Sequence, residues 1–181
     1  MAKGPLDLTG HMPLHRTVRS ASKPGIRERH ERIRFGEMTT VDETWSSVFA
    51  ALERLRDRWP DPAWTYDRRL KCVASSFPTA READARAAMT ESLPQSWSAA
   101  SLSGAPAAVL ALAESCGGLR ASQLLFWGGE PDGPGIFGLW WPWGDGTTVS
   151  LRIGLHGVDL PKERYPRLRD VFGIPQAPPA G

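Results

Sequence analysis

The stretch from Ile136 to Leu155, IFGLWWPWGDGTTVSLRIGL, places three tryptophans within four positions, and no other part of the chain is as distinctive. From Thr148 to Leu155, apolar residues alternate strictly with polar residues or glycine. Such alternation is typical of a β-strand with one face in the core and the other in solvent. The turn sequence Gly144-Asp145-Gly146 precedes it and predicts a β-hairpin whose first strand is the aromatic stretch.

The register of this hairpin decides which tryptophans are buried. A three-residue loop, residues 144–146, with Gly146 in the left-handed conformation, pairs odd-numbered residues with odd-numbered ones and thus Trp141 with Val149. Trp141 and Trp143 then share a face with the apolar residues of the second strand, so both are predicted to lie in the core. A two-residue turn, Asp145-Gly146, would place the apolar residues of one strand on the same face as the polar residues of the other, so we reject it.

Trp140 is predicted to lie on the polar face, opposite Ser150 and diagonal to Arg152. An exposed Trp beside an Arg is the composition of binding hot spots, where a rigid ring gives contact area at little entropic cost. Trp140, Arg152 and Ser150 are therefore the candidate protein-binding residues. The alternative is that a helix containing Trp45 and Trp59 covers this face, which would make Trp140 part of a second core.

The rest of the chain predicts three helices and further strands. Thr-x-x-Glu capping boxes predict helix starts at Thr40 and Thr79, and Ser103 can cap a third helix. The helices are expected at residues 40–59, 79–93 and 103–116, and the strands at residues 68–77, 119–127, 136–143 and 147–155. We therefore expect an α+β domain over residues 38–174, with three helices packed on a small antiparallel sheet that includes the C-terminal Trp-rich hairpin.

The N-terminal segment is strongly basic. Residues 1–36 hold eight Lys or Arg against three Asp or Glu, a net charge of +5, which leaves −3 for the rest of a chain whose total is +2. Few large apolar residues accompany these charges, so residues 1–37 are predicted to be a flexible basic arm, or a leader before a start at Met38. Residues 175–181 are expected to form a short Pro-rich tail.

The arm raises a second hypothesis, nucleic-acid binding, because each cation that neutralises a phosphate releases a counterion. The candidate residues for this alternative are Arg16, Arg19, Lys23, Arg27, Arg29, Arg32 and Arg34.

Several classes of protein are disfavoured. The longest apolar run, residues 106–113, is far shorter than the roughly 20 residues that cross a membrane, and the N-terminus lacks the apolar core of a secretory signal. We therefore expect a cytoplasmic protein. With only Cys72 and Cys116, no disulfide framework or zinc quartet forms within one chain, and both are expected to be buried. No spacing predicts a metal site or a cofactor.

Catalysis has little support in the sequence. His156 and Asp159 could form a base with its orienting carboxylate, and Cys116 could serve as a nucleophile. No adjacent sequence builds an oxyanion hole, so no catalytic residues are assigned.

Two short motifs resemble a known family. A helix followed by LPQSW (Leu93 to Trp97), a further helix, CGGL (Cys116 to Leu119) and successive strands is similar to the order in the SUKH immunity proteins. Those proteins have Asn at the position of Cys116 and a shorter spacing, and residues 1–78 have no counterpart. The resemblance implies a non-catalytic protein that binds and blocks a toxin.

These observations favour a non-enzymatic, cytoplasmic bacterial protein-interaction module of the immunity or adaptor kind. Its expected partner is a toxin or a complex subunit, without cofactor, metal or membrane. The bacterial source is suggested by Ala-, Arg- and Pro-rich usage, which is associated with GC-rich genomes. The alternative is a nucleic-acid-associated protein that binds through the basic arm.

Overall fold

The structure, a computed structural model, describes residues 26–157 and 160–176. The helices in these ranges are α1 (Ile26–Arg58), α2 (Glu82–Ser92), α3 (Ala107–Ser115) and α4 (Arg164–Val171). The strands are β1 (Thr65–Asp67), β2 (Cys72–Pro78), β3 (Gln95–Ser98), β4 (Leu124–Gly129), β5 (Gly135–Pro142) and β6 (Thr148–His156). The mixed fold with an antiparallel sheet is confirmed, but β1, β3 and α4 were not predicted.

The six strands form one antiparallel sheet in the order β1-β2-β6-β5-β4-β3. The pairs β1–β2, β3–β4, β4–β5 and β5–β6 are formed by strands consecutive in sequence. The pair β2–β6 joins distant parts of the chain, with Ser76 opposite Ser150 and Ala74 opposite Arg152. This long-range pairing carries β1 and β2 to the polar residues of β6.

Both faces of the sheet are covered by helices. On one face, the three-helix face, residues of α1, α2 and α4 pack with β-strand residues that include Trp140, Leu151 and Ile153. On the other, the α3 face, Val109 and Ala113 of α3 form a second cluster with residues of β4 and β5. The face of β6 that was predicted to be exposed to solvent is therefore largely buried, because α3 forms a second helical layer on that side of the sheet.

Helix α1 begins at Ile26, well before the predicted capping box at Thr40. Thr40 and Glu43 lie inside the helix, where a hydroxyl can bond a carbonyl one turn back instead of capping an end. Ser46 and Ser47 do this, donating to the carbonyl oxygens of Asp42 and Glu43 at 2.9 and 3.2 Å. Apolar residues recur at three- and four-residue steps from Trp45 to Trp59, which predicts one buried face, and all of them are buried: Trp45, Val48, Phe49, Leu52, Leu55 and Trp59.

The predicted arm is only partly described. The backbone of residues 26–37 is helical, and the flexibility of the arm stays a prediction. Residues 1–25 lie outside the described residues, as do residues 177–181 of the predicted tail. Backbone contacts divide the chain into two units, and the second, residues 37–181, contains the sheet. Among the described residues, no helix combines the length and apolarity that crossing a membrane requires.

The register of the β5–β6 hairpin differs by one residue from the prediction. Trp140 pairs with Leu151 and Trp141 with Ser150, while the N–H of Trp143 donates to the carbonyl oxygen of Thr148 at 2.9 Å. The loop thus has four residues, 144–147. A one-residue change of register exchanges the faces of every side chain in a strand relative to its neighbour.

Asp145 explains the longer loop. Its Oδ1 accepts hydrogen bonds from the backbone N–H groups of Thr147 and Thr148 at 2.9 and 3.1 Å. These bonds hold the pKa of the Asp145 carboxyl below its ordinary value. The carboxylate therefore keeps Thr147 in the loop, whereas the predicted three-residue loop assigned Thr147 to the strand.

The tryptophan assignments change accordingly. Trp140 is fully buried, so its predicted exposure is wrong. The alternative is correct in burying Trp140 in one cluster with Trp45 and Trp59, but not in the face, because Trp140 lies on the side of the sheet that faces away from Ser150. Trp143, predicted to lie in the core, is 54% exposed at the end of the hairpin. Trp141 is half-buried on the α3 face.

Candidate functional site

Arg152 joins three elements on the α3 face of the sheet. Its guanidinium lies over the ring of Trp141, 4.4 Å from the centroid, and Nη1 donates to Oγ of Ser150 at 3.2 Å. Its Nε lies 3.4 Å from Oδ2 of Asp67 in β1. Of the three predicted protein-binding residues, Arg152 and Ser150 are together as expected. The tryptophan beside them is Trp141, not Trp140.

These four residues, the Arg152 cluster, are held in a partly buried setting. The side chains of Arg152 and Asp67 are each 24% exposed, and Ser150 is buried and receives a 3.4 Å hydrogen bond from Ser76. The pKa of Asp67 is lowered from its ordinary value, chiefly by the backbone N–H of Leu70 and, against desolvation, by Arg152. Asp67 is therefore ionised at neutral pH and offsets the charge of Arg152.

Asp67 also folds the turn between β1 and β2. Its Oδ1 accepts hydrogen bonds from the backbone N–H groups of Arg69 and Leu70 at 3.0 and 3.1 Å, an Asx-type turn. Lys71 then takes a left-handed conformation, with φ of 51°. The turn, residues 68–71, exposes Arg68, Arg69 and Lys71 and keeps Leu70 half-buried.

A cleft of about 460 Å³ opens between this turn, β5 and the end of α3. Its lining residues are Arg69, Leu70, Ser115, Cys116, Gly117 and Trp141. Helix α3 ends before Gly117 and Gly118, in agreement with the helix end predicted at residue 116. Both glycines have left-handed φ values, and the N–H of Gly118 donates to the carbonyl oxygen of Ala113 at 2.8 Å. Residues 115–117, at this helix end, form one wall of the cleft.

Trp143 extends this surface. It lies two residues after Trp141, just beyond the end of β5, and is more than half exposed. Because side chains two residues apart along a strand share a face, we expect it on the side of Trp141. A tryptophan this exposed leaves a large apolar area in solvent, which binding to a partner could remove. We call Trp143 and the Arg152 cluster the Trp-Arg surface.

Trp140 lies on the opposite side of the sheet, away from the Trp-Arg surface. Its ring packs edge-on against Phe77 at 5.4 Å and tilted against Phe126 at 6.1 Å between centroids. The guanidinium of Arg86 in α2 lies 4.8 Å from the Trp140 centroid and is paired with Glu82 at 2.7 Å. These contacts make Trp140 a core residue beneath α2 rather than a binding residue.

His156, considered above as a base, is held by the sheet. Its ring stacks on Trp127 at 3.7 Å between centroids, and its Nε2 lies 3.2 Å from the carbonyl oxygen of Gly128. Burial lowers the pKa of His156 to about 4. The imidazole is therefore neutral and a weak base at pH 7, and its proposed partner Asp159 lies outside the described residues.

The buried imidazole predicts a pH dependence of stability. The folded state resists protonation of His156, whereas the unfolded chain protonates it near the ordinary pKa of 6.5. This contribution to stability is fully present above pH 6.5 and is lost progressively as the pH falls to about 4. Urea unfolding across that interval should show a shallower loss of stability for His156→Phe, which keeps a ring on Trp127. Parallel pH profiles for the two proteins would contradict the assignment.

The two cysteines differ in environment. Cys72 is buried as predicted, and desolvation raises the pKa of its thiol to about 12, so it stays protonated. Cys116, also predicted to be buried, is only partly so and lines the cleft. Within residues 26–157 and 160–176, no three His, Cys, Asp or Glu side chains are grouped as metal ligands.

The residues of the nucleic-acid alternative are not placed by the structure. Arg16, Arg19 and Lys23 lie outside the described residues. The other four candidates, Arg27, Arg29, Arg32 and Arg34, belong to the first turns of α1, and only their backbone is described.

Sequence reasoning missed Asp67, Arg69 and Trp141 as parts of the site. A local signal existed for the first two, because the sequence Asp67-Arg-Arg-Leu-Lys has the form of an Asx turn between two strands. Comparisons of the chain with protein-family models, with curated proteins and with solved structures found no significant match to any of them.

Proposed function

We propose that this protein is a non-enzymatic, cytoplasmic bacterial protein-interaction module of the immunity or adaptor kind, and that it binds its partner through the Trp-Arg surface. The observation that carries the proposal is the guanidinium of Arg152 over the ring of Trp141, 4.4 Å from the centroid, with the exposed Trp143 two residues further along the chain. Tryptophan and arginine are the residue types most enriched at interface hot spots.

Preorganisation supports this role for Arg152. The guanidinium of Arg152 donates to Ser150, forms an ion pair with Asp67 and lies over the ring of Trp141. A long side chain loses about 0.5–1.5 kcal/mol of rotamer freedom when a partner immobilises it. Because Arg152 is already restrained in the free protein, less of that cost falls on binding.

A toxin is the partner that the LPQSW and CGGL motifs suggest, by their resemblance to immunity proteins. The first motif directly follows α2 and includes residues 95–97 of the edge strand β3, and the second directly follows α3, with Cys116 and Gly117 lining the cleft. An enzymatic role has less support, because the low pKa of His156 makes it a poor general base at neutral pH.

Trp143→Ala is the variant that tests the proposed surface. Trp143 is exposed, so its truncation should leave the melting temperature nearly unchanged, whereas a hot-spot residue contributes about 2 kcal/mol, or about 30-fold in Kd. Affinity capture from lysate of the native host should recover a specific protein with the wild type and much less of it with Trp143→Ala. Arg54→Ala, at an exposed position of α1 behind the other face of the sheet, is the matched control.

Equal recovery of that protein by Trp143→Ala and Arg54→Ala would remove the Trp-Arg surface from consideration. The alternative predicts a different pattern, in which the captured material is nucleic acid. That material would be sensitive to nuclease, would be released steeply by salt, and would be lost when the basic segment before Met38 is deleted.

A further inference from the structure

We propose that the cleft beside Trp141 binds a carboxylate of an acidic segment of the partner protein, with Arg69 as its principal ligand. This inference rests on the proposed function and specifies the chemistry of the partner at the same surface. It follows from the charge, the hydrogen bonding and the size of the cleft.

Arg69 is the residue that sets the charge of the cleft. It is the only Lys, Arg, Asp or Glu among the six lining residues. Its backbone N–H is bonded to Asp67, but its guanidinium makes no hydrogen bond or ion pair with any side chain that the structure describes. A guanidinium has five donors in a planar fork and binds carboxylates in a bidentate manner. Arg69 is therefore fixed at its base and open at its tip.

The nearby carboxylate does not neutralise Arg69. Asp67 accepts two backbone hydrogen bonds through Oδ1 and contacts Arg152 through Oδ2. Arg68 is exposed in the same turn and adds positive charge, whereas the ammonium of Lys71 lies over the ring of Tyr165 in α4, 5.4 Å from its centroid. The turn thus presents more positive charge than Asp67 offsets.

The end of α3 tolerates an anion despite the negative end of its dipole. Its last carbonyl oxygens are capped: those of Ala113 and Glu114 accept from the N–H groups of Gly118 and Gly117 at 2.8 and 2.9 Å. The Leu112 carbonyl oxygen accepts from the Ser115 hydroxyl at 2.7 Å. Glu114 is exposed and is not one of the lining residues. Capping satisfies the groups that carry most of the dipole's charge.

The size and walls of the cleft fit a peptide segment. A volume of about 460 Å³ falls within the range of about 300–1,000 Å³ for ligand pockets and accommodates a side chain with adjoining backbone. Leu70 and Trp141 give apolar contact beside the guanidinium. The cleft therefore matches an acidic residue that has an apolar neighbour.

A nucleic acid fits this site less well. Its backbone needs a track of several cations, each neutralising one phosphate. The chain after residue 36 carries a net charge of −3, so the positive charge of the turn is local. At physiological salt, electrostatic interactions are screened beyond about 8–10 Å. A carboxylate in the cleft is therefore attracted by the nearby cations of the turn and is little affected by the net negative charge of the rest of the domain.

Selection from a library of short random peptides displayed on phage tests the inference. Peptides that bind the wild type should be enriched in Asp or Glu next to an apolar residue. The best of them, labelled and titrated, should bind Arg69→Glu at least about tenfold more weakly, retain part of its affinity for Arg69→Lys, and lose affinity when its own Glu or Asp is changed to the amide. Arg54→Glu changes the net charge equally and should bind as the wild type does.

Three results would overturn the inference: no acidic enrichment, equal weakening by Arg69→Glu and Arg54→Glu, or Arg69-dependent binding of a single-stranded oligonucleotide in place of the peptides. Melting curves confirm that both charge reversals are folded, as expected for exposed positions. The two proposals fail separately. If Trp143→Ala releases the native partner while Arg69→Glu retains it, the proposed function stands and the carboxylate site does not.

Discussion

Trp140→Ala is expected to reduce the free energy of unfolding by about 3–5 kcal/mol, the range for truncating a large buried aromatic side chain. Trp140 has no exposed area and packs against Phe77, Phe126 and the guanidinium of Arg86. Trp143→Ala should change the free energy of unfolding by no more than about 0.5 kcal/mol, as surface substitutions do. Urea unfolding at neutral pH measures both.

Because domains have only about 5–15 kcal/mol of stability, Trp140→Ala can unfold the protein outright. Trp140→Phe then gives a smaller, measurable loss at the same site. Equal effects of truncating Trp140 and Trp143, or a larger effect at Trp143, would show that the faces of β5 are assigned wrongly.

Gly154→Ala is expected to be the second severe change, because Gly154 pairs with Phe137 across the β5–β6 ladder. A Cβ on Gly154 would lie 2.2 Å from Cζ and 2.4 Å from Cε1 of the Phe137 ring, so the ring must move. Phe137 is itself buried in the α3-face cluster, and overpacking such a site typically destabilises by about 1–3 kcal/mol. Gly144→Ala, in the adjacent loop where a Cβ meets nothing within 4 Å, is the control and should be nearly neutral.

A double-mutant cycle makes this prediction specific to the register. Phe137→Ala alone should be destabilising by about 3–5 kcal/mol, but it also removes the ring that a Cβ at position 154 would strike. The double variant should therefore be more stable than the sum of the two single effects predicts, by about 0.5 kcal/mol or more. Strict additivity would indicate that residues 137 and 154 are not neighbours.

The helices with clear periodicity were predictable, and so were the central strands. The apolar stripe of α1, from Trp45 to Trp59, is buried as its spacing requires, and α3 ends at the Gly117-Gly118 stop. The short strands β1 and β3 and helix α4 carry too few residues for a pattern. Helix α4 also contains Pro166 in its first turn and has only two buried residues.

The hairpin register could not be derived from the alternation in β6, because that alternation was interpreted as one buried face and one face exposed to solvent. Thr148, Ser150 and Arg152 were expected to face water, but α3 and β1 supply neighbours on that side of the sheet. Strand β5 carried the contrary signal, since the run from Ile136 to Trp143 is apolar on both faces, as in strands buried on both sides. Gly154 was a second signal, because a residue without a Cβ leaves room for a large partner such as Phe137.

The candidate site was predicted only in part, because its aromatic residue depends on the register of the β5–β6 hairpin. Arg152 and Ser150 were identified from their place on the polar side of β6, which does not depend on the register. Their aromatic neighbour did depend on it, so Trp140 was chosen in place of Trp141. The local sequence indicates Asp67 as a turn residue but not its contact with Arg152, because only the β2–β6 pairing brings β1 near Arg152.

The register of β5 against β6 is the claim on which the burial of Trp140 and the Trp-Arg surface both depend. NMR spectroscopy of the labelled protein measures it directly through nuclear Overhauser effects between backbone protons of the two strands. We expect cross-strand effects that join Trp140 to Leu151 and Gly138 to Ile153. Effects that instead join Trp140 to Ser150 and Trp141 to Val149 would contradict it.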